Sequence, residues 1–285
     1  MYKTAICQIN PKILDLNGNL SKHIQFIKRA VKSKANLIVF PEMSLSSYCY
    51  ASLAEVATHG QNIPGPITKK LGDLCKDLDV YLVVGMIEKE RIDGDYHYYN
   101  TSILMGPTGL MKKYRKTHIP YMAADRFVKK GDLPYQVTDT PVGKIGLGIC
   151  YDIMFPEHSR TLALKGMEIL INISNLSKGL DPKKANEHPA FLLHQVRAIE
   201  DRVFVIASNR VGKERGYEFI GRSKIFAPGG EVLAEASGDK EEIIFATIEP
   251  RIAREKDVIS EPGEREMHIF KDRRPDLYQV NDKEM

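Results

Sequence analysis

The run from Lys144 to Glu157, Lys-Ile-Gly-Leu-Gly-Ile-Cys-Tyr-Asp-Ile-Met-Phe-Pro-Glu, constrains the fold of this chain more than any other stretch. Ile145 to Ile149 are apolar or glycine, they follow the turn-forming Thr140-Pro141-Val142-Gly143, and they read as a buried strand that ends at Cys150. Pro156 suits the first position of a helix, Glu157 suits its positively polarised first turn, and Leu162 and Ala163 continue at helical spacing. A cysteine therefore sits at a strand-to-helix turn. Such a turn exposes a side chain to a pocket and aims backbone N–H groups at whatever it attacks, as in the serine hydrolases of α/β type. A helix N-terminus or a nearby cation favours the reactive thiolate. On this stretch alone Cys150 reads either as a nucleophile or as a small buried hydrophobe.

The rest of the chain alternates strand and helix, which predicts the α/β class. After a strand over Thr4 to Ile9, Asn17 to Lys34 carries Leu20, Ile24, Ile27 and Val31 at helical spacing. Ala35 to Phe40 is a continuous apolar run, hence a strand covered on both faces. Pro41 stops it and delivers Glu42 to its C-terminal edge. Ile67 to Leu78 reads as an amphipathic helix, and Val80 to Glu88, Tyr98 to Met105 and Leu110 to Tyr114 as strands, the last two joined at Gly106-Pro107-Thr108-Gly109. Glu168 to Ser174 is a further strand, a helix carries His188 and His194 around Phe191 and Leu192, and a charged helix is expected from Glu249 onward.

In open α/β sheets ligands sit beyond the carboxyl ends of strands, where Glu42 and Cys150 both fall. By itself Glu42 reads more readily as a solvated helix-start acid than as a catalytic one, and its place beside Cys150 in the architecture is what turns the reading toward catalysis. Lys112, Lys113, Arg115 and Lys116 form either a solvated sheet edge or a cluster with one cation turned inward. Alternation separates Lys112, Tyr114 and Lys116 from Lys113 and Arg115, and Lys116, nearest the strand exit, is the one aimed at the pocket. A thiol, a carboxylate able to carry its proton and a fixed ammonium make an acyl-transfer set without histidine.

Composition removes several classes. The net charge of +4 arises from 41 basic and 37 acidic residues spread along 285 positions, and no aromatic-basic repeat accompanies them, so nucleic acid is not an expected partner. Cys7, Cys49, Cys75 and Cys150 show no paired spacing, which argues against a metal or a disulfide framework. No phosphate-cradling glycine motif occurs, and no cofactor is expected. Met1-Tyr2-Lys3 leads directly into a strand and no apolar run is long enough for a bilayer, so the expectation is a soluble cytoplasmic protein with no membrane partner.

Phe40-Pro41-Glu42-Met43, Tyr114-Arg115-Lys116-Thr117-His118-Ile119-Pro120 and Gly148-Ile149-Cys150-Tyr151-Asp152-Ile153-Met154-Phe155-Pro156-Glu157 together resemble the nitrilase superfamily of carbon-nitrogen hydrolases. The resemblance continues through Arg197 to Asp201, Ala207 to Gly212, Gly221 to Ile225 and Pro228-Gly229-Gly230, and so covers nearly the whole chain. It implies a four-layer αββα sandwich over residues 1–260, a tail over 261–285 packing on the surface or on a partner subunit, and assembly as a homodimer or larger homo-oligomer. It also implies that Cys150 attacks a carbonyl carbon while Glu42 carries protons, with Lys116 and the backbone N–H of Tyr151 holding the oxyanion. Members often carry a second acid after the lysine motif. This chain offers Asp125 there in place of the usual glutamate, and a helix-cap or surface role fits that residue as well. Asn175 resembles a family position that faces substrate.

Nitrile-hydrolysing members typically show Cys-Trp-Glu, whereas amidase and carbamoylase branches often show Cys-Tyr-Asp. Here Cys150-Tyr151-Asp152 occurs in a chain with no Trp, which favours a small amide or N-carbamoyl substrate. The alternatives are nitrile hydrolysis and a catalytically silent interaction protein of the same fold. Specificity is expected in the loops Tyr48 to Gly65, Tyr121 to Lys130 and Ser177 to His188.

Overall fold

The computed structural model describes residues 1–179 and 188–278. Two six-stranded sheets stack face to face. The first contains β1 (Tyr2–Gln8), β2 (Leu37–Val39), β3 (Tyr81–Ile92), β4 (Asp95–Gly106), β5 (Gly109–Arg115) and β14 (Glu242–Ile248), in the order β14-β1-β2-β3-β4-β5. The second contains β6 (Thr138–Thr140), β7 (Gly143–Ile149), β8 (Ile169–Ser174), β9 (Phe204–Asn209), β12 (Lys224–Phe226) and β13 (Val232–Glu235), in the order β13-β12-β9-β8-β7-β6. Each sheet is parallel at its centre, through β1·β2·β3 and β7·β8·β9, and antiparallel toward its edges.

The period-two alternation of the strands explains the layering. Ile6, Leu37, Val39 and Val83 point inward and meet Ile145, Leu147, Ile149, Ile171 and Ile206 of the facing sheet. Their neighbours Ala5, Cys7, Ile38, Leu82 and Val84 point outward under the helices α1 (Leu16–Lys32) and α3 (Pro66–Leu78), beyond the short α2 (Leu53–His59). On the other side α4 (Pro156–Leu164) and α5 (Pro189–Asp201) cover the second sheet through Leu162, Ala163, Ala190 and Ala198. The result is the four-layer αββα sandwich. Each fully buried aliphatic side chain contributes about 1.5–3 kcal/mol.

Two expectations are corrected. The hairpin of β3 and β4 runs beyond Glu88 to a turn at Asp93-Gly94, both at positive φ, so the strands continue through a charged segment. The charged helix expected from Glu249 is one 3-10 turn, Pro250–Arg254, followed by a hairpin of β15 (Val258–Glu261) and β16 (Arg265–Met267). Pro262-Gly263 accounts for this: proline cannot continue a helix, and Gly263 takes a φ of 80° at the hairpin turn. Beyond it Phe270 packs against the α4–α5 layer, beneath Arg160 and Lys256. A further hairpin, β10 (Val211–Glu214) with β11 (Tyr217–Ile220), bonds to the segment after β8 through Ile220 N–H to Leu176 O. Among the described residues no helix is long and apolar enough to cross a membrane.

Candidate active site

Glu42 is delivered by a turn that β3 and α1 secure. Phe40 N–H still bonds to Val83 O of β3, Leu45 N–H bonds to Gly85 O, and Met43 takes a φ of 46°. From α1, His23 shares a hydrogen bond with Ser44 Oγ at 2.9 Å and stacks on Phe40, while Asn19 Nδ2 donates to Leu45 O. Gly85 permits the approach, since a Cβ there would lie 2.4 Å from Met43 N.

Lys116 follows β5 directly. Its N–H donates to Asn100 O of β4 at 2.8 Å, and its side chain is fully buried. Nζ donates to Glu42 Oε1 at 2.9 Å and to Asp125 Oδ2 at 2.5 Å. Burial alone would strip the proton from this ammonium, but Asp125 and Glu42 outweigh it and hold the Lys116 pKa well above its ordinary value. Arg115, one residue earlier, is buried too. The solvated-edge reading of this cluster is thus corrected at Arg115, which pairs with Glu88.

Cys150 begins the turn after β7 with a φ of 47°, a strained backbone state for a side-chain-bearing residue. Asp152 fixes that turn. It accepts from Ile149 N–H at 2.9 Å, from Tyr114 O–H at 2.7 Å and from the backbone N–H of His118, with the His118 ring at 2.7 Å. The turn at Cys150 is thereby tied to the exit of β5. Burial would raise the Asp152 carboxyl, but His118 and the other donors hold it below its ordinary range.

The structure brings Glu42, Lys116 and Asp125 into one hydrogen-bonded cluster, and the charges of all three act on the Cys150 thiol. Asp125 sits in a 3-10 turn, Ala123–Phe127, buried rather than at the surface, where Tyr48 O–H donates to its Oδ2 at 2.8 Å. Asn175 is buried and its Nδ2 donates to the backbone carbonyl of Glu42 at 3.1 Å, while its Oδ1 has no partner among the described residues. Tyr151 is half-exposed, its ring edge-on to Phe155. Arg197 bonds both to Glu200 and to Ile153 O after the cysteine turn. His194 is buried against Asn172, and His188 caps α5. Of the three loops expected to set specificity, the last, Ser177 to His188, has its residues 180–187 outside the described residues.

Sequence reasoning missed Asn100. Its Nδ2 donates to Glu42 Oε1 at 2.7 Å and to Asp125 Oδ1 at 3.0 Å. The available signal was an Asn-Thr-Ser run in the middle of an otherwise apolar buried strand.

Proton accounting shows what the cluster can do. Glu42 Oε1 accepts twice, whereas its Oε2 is buried and has no partner among the described residues. Burial raises the Glu42 pKa, opposed by Lys116 and reinforced by Asp125. Burial likewise raises the Cys150 thiol, with Glu42 adding to the effect and Lys116 opposing it. Among the described residues one Glu42 oxygen accepts from no donor, and the Lys116 ammonium has one proton beyond the two it donates to Glu42 and Asp125. Among the described residues no group of His, Cys, Asp and Glu is arranged to hold a metal ion.

The αββα sandwich thus carries this cluster where β2, β5 and β7 end. The carbon-nitrogen hydrolase family model matches residues 3–256, and the chain belongs to that family, within the nitrilase superfamily. It is 39% identical over 279 residues to a nitrilase of Pyrococcus abyssi, covering 98% of this chain and 99% of that protein. It is 31% identical to an omega-amidase of Homo sapiens, covering 98% and 97%. The crystal structure of a carbon-nitrogen hydrolase from Helicobacter pylori superposes with a TM-score of 0.84 at 27% identity, over 97% of this chain and 96% of that one.

Proposed function

We propose that this carbon-nitrogen hydrolase cleaves the C–N bond of a small amide or N-carbamoyl compound through a thioester on Cys150. The observation that carries the reading is the free Glu42 Oε2 inside a cluster whose other carboxylate oxygens are all occupied. A buried acceptor left without a donor is costly, about 1–3 kcal/mol, so its retention favours a role for it.

The steps follow from the free valences. Glu42 Oε2 takes the thiol proton as Cys150 sulfur bonds to the carbonyl carbon. Because the resting thiol is protonated, transfer and attack proceed together. Lys116 and the Tyr151 backbone N–H receive the oxyanion, at about 3 kcal/mol for a well-placed donor. Glu42 returns the proton to the departing nitrogen and ammonia or an amine leaves; Glu42 then takes a proton from the water that attacks the thioester and gives it to the Cys150 sulfur as the C–S bond breaks, releasing the acid and restoring the thiol.

The human relative is an omega-amidase, which supports an amide substrate. The name of the Pyrococcus abyssi relative supports nitrile hydrolysis as the second reading. Ammonia release from aliphatic amides, N-carbamoyl amino acids, ω-amides of dicarboxylic acids and nitriles separates them. The proposal expects release from an amide or carbamoyl group by wild type and none by Cys150→Ala. Release from nitriles alone would move the assignment to the second reading, and equal release by both proteins would remove Cys150 from the mechanism. Homodimeric or larger assembly belongs to the same proposal and is read from sedimentation.

A further inference from the structure

Four side chains close a ring at the floor of the site. Lys116 Nζ bridges Glu42 Oε1 and Asp125 Oδ2, and on the opposite side Asn100 Nδ2 bridges Glu42 Oε1 and Asp125 Oδ1. Asn100 also accepts the Lys116 N–H on its backbone carbonyl, so one residue of β4 fixes both the anions and the backbone of the cation. Its amide cannot be reversed, because its oxygen would then face two carboxylates.

The charges make this arrangement consequential. Two buried carboxylates share one ammonium, and a second cation is not the device that balances them. A neutral amide places both of its N–H dipoles between the two anions instead. With Asn100 and Lys116 both on Oε1, the plane of the Glu42 carboxylate is set by two donors in different directions. That leaves Oε2 as the one oxygen of the pair without a donor among the described residues. Without Asn100, the Glu42 carboxylate is free to swing so that both oxygens share Lys116, which occupies the acceptor needed for the thiol proton and a Lys116 proton needed for the oxyanion.

We infer that Asn100 is a positioning residue for proton transfer, holding the Glu42 carboxylate in the one orientation that keeps an oxygen free. The inference rests on the thiol-hydrolase reading and adds a residue to it. The groups facing Glu42 are Lys116 at the exit of β5, Asp125 on the 3-10 turn, Cys150 on the nucleophile turn and Tyr48, which donates to Asp125. Losing the Asn100 donors removes one stabiliser of the Glu42 anion, so the acid limb of the rate profile, set by a base that must be ionised, moves to higher pH. Asn100→Asp, equal in size, adds a third carboxyl to the ring and moves the limb further than Asn100→Ala.

The experiment measures kcat and KM for Asn100→Ala and Asn100→Asp across pH, on the substrate found active with wild type and with Cys150→Ala alongside. The expected result is a kcat loss of about 100-fold, the scale of a misplaced reacting group, with KM close to wild type and the acid limb raised in the order wild type, Ala, Asp. The limb position is a ratio within one preparation, so an unfolded fraction does not move it. An unmoved limb in both variants, or a loss confined to KM, overturns the role of Asn100. If Cys150→Ala remains active, it is the hydrolase reading that fails, whatever the Asn100 variants do.

Discussion

Two carboxylate clusters hang from consecutive residues of the same strands. Asn100 and Lys116 serve Glu42, while Thr101 and Arg115 serve Glu88 of β3. Glu88 has no oxygen to spare. Its Oε1 accepts from Lys113 at 2.5 Å and from Arg115 at 2.7 Å, and its Oε2 accepts from Arg115 at 2.9 Å and Thr101 at 2.8 Å. Burial would raise its carboxyl, but Arg115 and Lys113 outweigh that and hold it below its ordinary value. Arg115 is further stacked on Tyr99 at 3.8 Å and paired with Glu90 and Asp132. At Glu42 the balance has the opposite sign: burial prevails, the carboxyl is raised, and one oxygen is left over. A satisfied buried ion cluster holds strands together, and an under-satisfied one next to a thiol is a place for a proton to go.

That contrast is broken most severely at the reacting groups. Glu42→Gln keeps the shape and the bonds to Oε1 but cannot take a proton, so kcat should fall by about 10³-fold or more with the melting temperature nearly unchanged. Steady-state rates and thermal melts on one preparation check both halves. A Glu42→Gln enzyme within tenfold of wild type would leave the free oxygen without its role. Next comes geometry: Gly85→Ala drives a methyl into the Glu42 turn, with an expected loss of about 100-fold in kcat and a smaller one in stability.

Glu88→Gln should do the reverse. Removing the anion beneath Arg115 costs about 3 kcal/mol in chemical denaturation, yet kcat per folded molecule stays within about twofold of wild type. A large kcat loss here would mean the two clusters are not separable.

The smallest effect is a slope. His23, which supports the Glu42 turn, is buried and its pKa is lowered by that burial from 6.5 to about 4. A base whose folded pKa is depressed gives its stability fully above pH 6.5 and loses it as pH falls toward 4, by about 1.4 kcal/mol per unit. His23→Gln should flatten that part of the stability curve, as read from urea midpoints between pH 7 and 4. An unchanged slope would put the acid sensitivity elsewhere.

The sequence made the punctuation of the fold readable. Glu42 and Cys150 stood out because proline, glycine and sharp changes of period mark strand ends, and Lys116 because alternation along β5 separates it from Arg115. Partners across the sheets were not readable. Nothing local says that Glu88 lies near Arg115, which comes only from the β3–β4–β5 register, so Arg115 read as solvated when it is buried. Asn100 and the contacts of Asp125 were obscured for the same reason, their ring being closed by residues from four separate segments, the turn after β2, β4, the exit of β5 and a 3-10 turn. The β15–β16 hairpin was misread because high charge density conceals the turn at Pro262-Gly263.

The central claim is that Cys150 becomes acylated while Glu42 carries the protons. Rapid acid quench of the enzyme during turnover of an active amide, followed by intact and peptide mass spectrometry, tests it directly. The account predicts an adduct equal to the acyl group on the peptide holding Cys150 in the wild-type enzyme, strongly reduced in Glu42→Gln and absent from Cys150→Ala. Steady turnover with an unmodified Cys150 peptide, and activity surviving in Cys150→Ala, would contradict it.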